Sequence, residues 1–178
     1  MGVTPDEILP ADINEAPLPG ELPKPYALRM ACEKAQALDK RGLILSADTV
    51  VAVGRRILPK TETALEAQTC LELLSGRAHR IYGGICLKRG EKILTRLVET
   101  RVQFKRLSSE EIKAYLASGE WQGKAGGYAI QGRASVFVQS ISGSYTNVVG
   151  LSLPETYALL TGQGYRVAQS WTQKQAEA

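Results

Sequence analysis

Apolar residues run almost unbroken from Leu43 to Val53 (LILSADTVVAV), interrupted only by the polar stretch Ser46–Thr49. Such a run predicts a central strand covered on both faces. A carboxylate inside it, Asp48, marks a site, because an unpaired buried charge is costly. HRIYGGICL (79–87) and KILTRLVETRVQF (92–104) predict two further strands, joined by a Lys88–Glu91 turn that contains Gly90. The second alternates polar and apolar residues, so one of its faces is expected to be solvated. Leu28, Ala31, Cys32, Ala35 and Leu38 follow helical spacing. They predict a helix opened by Pro25 and stopped after Arg41 by Gly42. Capping boxes at Thr63/Glu66 and Ser108/Glu111 predict helices reaching Ser75 and about Ser118. Pro154 starts a short helix through Leu160, and YRVAQSW (165–171) predicts a last strand before a fraying tail. Five prolines between Pro5 and Pro23 keep the first 24 residues extended.

The segment Gly123–Leu153, GKAGGYAIQGRASVFVQSISGSYTNVVGLSL, has a different texture. Ile130, Val136, Val138 and Ile141 alternate with polar residues, which predicts short strands joined by glycine turns. Gln131 sits at the centre of the first turn. Its amide donates and accepts at once, so it can pair with an edge that offers N–H beside C=O, such as that of uracil or thymine. Satisfying the turn backbone is an equal use for it.

Composition narrows the class. The 178 residues are 44% hydrophobic, enough for one domain with a real core. No apolar run is long enough to span a membrane, and the acidic, proline-bearing start lacks the features of a secretory signal, so a cytoplasmic location is expected. Cys32, Cys70 and Cys86 are dispersed without CxxC spacing, which argues against disulfides and zinc and for buried small hydrophobes. The net charge of +4 is spread thinly, without a basic stripe interleaved with aromatics. That speaks against nucleic acid as a partner and suits a small polyanion.

Asp48 is the catalytic candidate: an aspartate at such a position can hold a divalent metal or orient a water. Lys60 follows that strand in ILPKTE, and Lys34 lies on the first helix. Alone each reads as a surface lysine; with an aspartate they could clamp phosphates. Glu15 in ADINE reads, by itself, as a solvated loop acid. GEWQGKAGGY is not a P-loop, because Ala125 follows Lys124 where Ser or Thr is needed. His79, the only histidine, opens a strand with no nucleophile elbow nearby and reads as structural.

YAIQGRASVFVQSISGSYTNVVGLSLPET resembles the C-terminal signature of the Maf family of nucleoside triphosphate pyrophosphatases. Upstream, ADTVVAVGRRILPK, EAQTCLELLSGRAHRIYGGICL, LPADINEAP and ALRMACEKA resemble its other motifs in family order. The resemblance implies a single α/β domain over residues 1–178, mixed-sheet and anvil-like, related to the pyrophosphatases of non-standard purine triphosphates. It also implies a homodimer. The implied reaction is hydrolysis of dTTP and UTP to monophosphate and pyrophosphate, with Mg²⁺ or Mn²⁺. Asp48 falls on the family's catalytic aspartate. Lys34 and Lys60 fall on phosphate-binding positions, Glu15 beside Asp48 on the metal side, and Thr49 and Gln131 on positions linked to base selectivity. The IQG form resembles the dTTP/UTP branch.

The family's S-x-SPRR loop has no counterpart here, so the chain reads as N-terminally truncated relative to the family. An impaired nucleotide-binding or regulatory protein, linked to division control, is the alternative this suggests.

Overall fold

The computed structural model describes residues 1–169 and 171. Helix α1 spans Pro23–Gln36, with Pro23 opening its first turn, where a missing N–H costs nothing. Strand β1 is Leu43–Val53 and β4 is Lys92–Phe104, both with the expected bounds. Between them lie the short β2 (Arg56–Leu58), α2 (Ala64–Leu74) and β3 (Ala78–Arg89). Then follow α3 (Ser109–Ala117), a 3-10 helix at Arg133–Phe137, β5 (Val138–Ser142), α4 (Tyr145–Val149) and α5 (Leu153–Gly162). Both predicted capping boxes form, Thr63 with Glu66 and Ser108 with Glu111.

Among the described residues five strands make one sheet, in the order β2-β1-β3-β4-β5. Every pairing is antiparallel, so the expectation of a mixed sheet gives way to an antiparallel one. β1 is covered on both faces, as its apolar run required. Side chains alternate across the pleat. Val50, Ala52 and Tyr82 meet Tyr26, Ala27 and Met30 of α1 on one face. Val51 and Ile81 point to the other, into a core with Leu71 and Leu74 of α2, Phe104 and Tyr115. Further along that second face, Ile85 and Leu87 pack on Leu159 and Leu160 of α5. The cysteines are free: Cys70 and Cys86 are buried and Cys32 is partly so.

Two stretches depart from the hydropathy reading. Across 123–153 only Val138–Ser142 is a strand. Gly126 and Gly127, both at φ 71°, turn the chain so that Ile130 enters the core while Val136 stays 69% exposed. Here the alternation reflects single anchors in a turning chain rather than a pleat. Residues 165–171 form no strand in their described part. Tyr165 N–H donates to the Leu160 carbonyl, folding the chain back over the end of α5, and Val167 is fully buried there. Ser170 and the tail 172–178 lie outside the described residues.

Candidate active site

β2 pairs with β1 only at Val51–Val53. N-terminal to Val51, the outer edge of β1 has no strand partner among the described residues, and a cavity of about 290 Å³ opens there. Lys34, Asp48, Thr49, Lys60 and Gln131 all line it, together with Lys124, which the sequence reading left unassigned. A second cavity of about 320 Å³ adjoins it, sharing Asp48, Thr49 and Lys60 and adding Glu15. All six predicted site residues therefore come together around one strand edge.

The polar break in β1 serves both faces of the sheet. Asp48 points towards α1, where Lys34 Nζ donates to its Oδ1 at 2.7 Å. The Asp48 side chain is only 7% exposed, and its Oδ2 accepts no hydrogen bond among the described residues. Thr49 points to the opposite face and donates to the Gly150 carbonyl at 3.3 Å. Lys34 also pairs with Glu15 Oε1 at 2.8 Å, and Lys60 Nζ with Glu15 Oε2 at 2.5 Å. Glu15 thus bridges the two lysines. Tyr26 Oη donates to the Glu15 carbonyl at 2.6 Å and ties that loop to α1. Lys60 is set by a short lashing of backbones: Thr61 N–H donates to Lys124 O, and Gly126 N–H to Pro59 O.

These pairings fix the charge states. The two lysine ammoniums hold the Glu15 carboxyl below the ordinary range, Lys34 first and Lys60 second. Burial pushes Lys34 down, but its bonds to Asp48 and Glu15 outweigh burial and hold it above an ordinary lysine. Lys34 therefore sits as a cation between two carboxylates. An ammonium so bracketed occupies the kind of place a divalent ion takes, and Asp48 and Glu15 are the hard oxygen donors such an ion prefers. No group of three or more His, Cys, Asp or Glu converges among the described residues. Two carboxylates plus substrate phosphates suit magnesium-type binding.

Two glycines that the sequence reading passed over make this site possible. In the β1–β3 register Asp48 lies opposite Gly84, and Thr49 opposite Gly83. A Cβ on Gly84 would come within 2.1 Å of the Ala27 carbonyl oxygen in α1; one on Gly83 would come within 1.9 Å of Asn147 Oδ1. Consecutive strand residues face opposite ways. The Gly83–Gly84 pair therefore lets α1 and α4 approach the sheet closely, one from each side. Paired glycines inside an apolar strand are the sequence signal for such approach.

Beneath the pocket, Tyr128 Oη lies 2.8 Å from His79 Nε2 in a buried edge-on aromatic cluster with Phe104. Burial pushes His79 from 6.5 down to about 4. The unfolded chain thus takes up the proton first. The contribution of His79 to stability is fully present well above pH 6.5 and falls as pH drops through the window from 6.5 to about 4. The loss expected at pH 4.5 is about 2–3 kcal/mol. Glu15, with its lowered pKa, adds acid sensitivity only below its ordinary value of 4.5. Urea midpoints at pH 7 and 4.5 test this: His79→Gln should narrow their separation, and an unchanged separation would contradict it.

Comparison with known proteins gives the chain a family. The family described as Maf-like protein matches residues 1–163. A dTTP/UTP pyrophosphatase of Mesorhizobium japonicum is 58% identical over 180 residues, covering 96% of this chain and 86% of its own. One of Maricaulis maris is 60% identical over 169 residues, covering 93% and 81%. One of a Chelativorans species is 55% identical, covering 96% and 86%. No helix among the described residues is long and apolar enough to cross a membrane. With a family match over nearly its whole length and relatives this similar, the chain belongs to the Maf-like protein family.

Proposed function

We propose that this pocket hydrolyses dTTP and UTP to the monophosphate and pyrophosphate. The relatives named dTTP/UTP pyrophosphatase, 55–60% identical to this chain, support the substrate class. The observation that carries the chemistry is Asp48: a nearly buried carboxylate with one oxygen pinned by Lys34 and the other without a hydrogen bond among the described residues.

The chain's residues divide the work. Asp48 Oδ2 orients the attacking water and takes its proton as the water oxygen bonds to the α-phosphorus. The bond from that phosphorus to the bridging oxygen breaks, and pyrophosphate leaves with the bond's electron pair. Lys34 and Lys60, held within reach of each other by Glu15, release that carboxylate and bind the phosphate oxygens as point charges. Asp48 and Glu15 would hold Mg²⁺ or Mn²⁺. When bound, such an ion neutralises phosphate charge and acidifies water. Gln131, whose amide is unbonded among the described residues, faces the pyrimidine edge. Thr49, through Gly150, supports the opposite wall.

A pyrophosphate-release assay with dTTP, UTP, CTP and 7-methyl-GTP tests this reading. Turnover is expected on dTTP and UTP; nucleotide binding without pyrophosphate release would overturn it. Gln131→Ala should raise KM for dTTP and UTP about tenfold, the worth of one to two hydrogen bonds, with a smaller change in kcat. Equal KM in variant and parent would remove Gln131 from base recognition.

A further inference from the structure

The turn that carries Gln131 is held by its backbone, and its side-chain amide makes no hydrogen bond among the described residues. Gly132 N–H donates to the Ala129 carbonyl at 3.1 Å, and Ala129 N–H donates to Tyr115 Oη at 3.1 Å. The tightest hold comes from a residue outside the turn. Glu120 Oε2 accepts from the Arg133 backbone N–H at 2.6 Å, and its Oε1 accepts from Arg133 Nη1 at 2.5 Å. The carboxylate presses on Gly132 through Oε2, from which a Cβ there would stand only 2.2 Å.

Glu120 can act as a clamp because its own position is rigid. It follows α3 by three residues, its N–H donates to Ser118 Oγ at 3.3 Å, and the next residue, Trp121, is buried with its indole N–H on the Leu116 carbonyl at 2.8 Å. We infer that Glu120 is a positioning residue for base selection, fixing the Gln131 turn so that the amide meets the pyrimidine edge at hydrogen-bond distance. The inference rests on the reading of Gln131 as the base-facing amide. A charge-assisted bond to a backbone N–H is among the stronger ones available. Polar discrimination fails when the reading group is loose, because a misaligned donor and acceptor cannot reject the wrong edge.

Most of the effect should come through the backbone. The Arg133 side chain is 69% exposed, and such an ion pair is worth little by itself. Arg133→Ala keeps the backbone N–H, so it should disturb selectivity less than Glu120→Ala does.

The test is a double-mutant cycle on kcat/KM for UTP against CTP, using Glu120→Ala, Gln131→Ala and the pair, with melting temperatures alongside. Glu120→Ala is expected to lower the UTP/CTP ratio about tenfold, chiefly through KM for UTP. In the Gln131→Ala background it should add nothing to that loss. Glu120→Gln keeps an acceptor for the Arg133 N–H and should recover part of the ratio; it also serves if the alanine variant fails to fold. Multiplicative losses in the double variant, or an unchanged ratio in Glu120→Ala, would overturn the clamp while leaving Gln131 as reader. An unchanged ratio in Gln131→Ala alone would overturn the reading of Gln131, and the clamp with it.

Discussion

Asp48→Asn is expected to lower kcat on dTTP and UTP by about 10²- to 10⁴-fold, the usual worth of a positioned general base. Asparagine keeps the size of the side chain and an oxygen for Lys34, which donates to Asp48 Oδ1 at 2.7 Å. It cannot take a proton from water. Pocket shape and the paths of α1 and β1 should persist, so KM should move little and the loss should lie in kcat. The same change removes one of the two carboxylates that bracket Lys34, so the concentration of Mg²⁺ or Mn²⁺ needed for residual turnover should rise. Steady-state pyrophosphate release across a metal titration reads both effects. Turnover within threefold of the parent at saturating metal would exclude Asp48 as the base.

Gly84→Ala is expected to be the most damaging small substitution in the fold. The added Cβ would lie 2.1 Å from the Ala27 carbonyl oxygen and 2.5 Å from its carbon. Backbone cannot rotate away as a side chain can, so either α1 retreats or β3 bows. Overpacking of this kind costs about 1–3 kcal/mol, with more expected where backbone must move. For a chain of this size that corresponds to roughly a 2–12 °C fall in melting temperature. Because α1 also carries Lys34, the retreat lengthens the Lys34–Asp48 contact, and nucleotide affinity should weaken for every base alike.

Gly83→Ala presses on the other face. Asn147 is buried there and donates to the Ile81 and Val98 carbonyls and to Thr100 Oγ1. Displacing it disturbs α4, and through Gly150 the partner of Thr49. The expected signature is altered choice between bases. Melting curves and a substrate panel on both variants separate the two effects; identical substrate profiles would show that the faces do not act separately.

The parts of the fold that were legible depend on neighbours within a few residues. The apolar run 43–53 had to be a strand covered on both faces, and it is. Thr63 with Glu66 and Ser108 with Glu111 close their capping boxes within single turns. The segment 123–153 departs from its hydropathy pattern because its apolar residues are anchors separated by turns, and an anchor's partner is not in the local sequence. YRVAQSW has the composition of a strand, yet Val167 finds its burial against α5 rather than in the sheet.

Sequence by itself determined the family likeness, the polar break Ser46–Thr49 inside an apolar strand, and the identity of the six site candidates. Those are properties of residue type and order. Only tertiary structure decided that Glu15 bridges Lys34 and Lys60, that the pocket opens at the outer edge of β1, and that Glu120 braces the turn of Gln131. The reason is physical. An ion pair or a clamp needs atoms within about 3 Å. Which distant residues come that close is set by how the layers pack, and here by two strand glycines that let α1 and α4 approach the sheet.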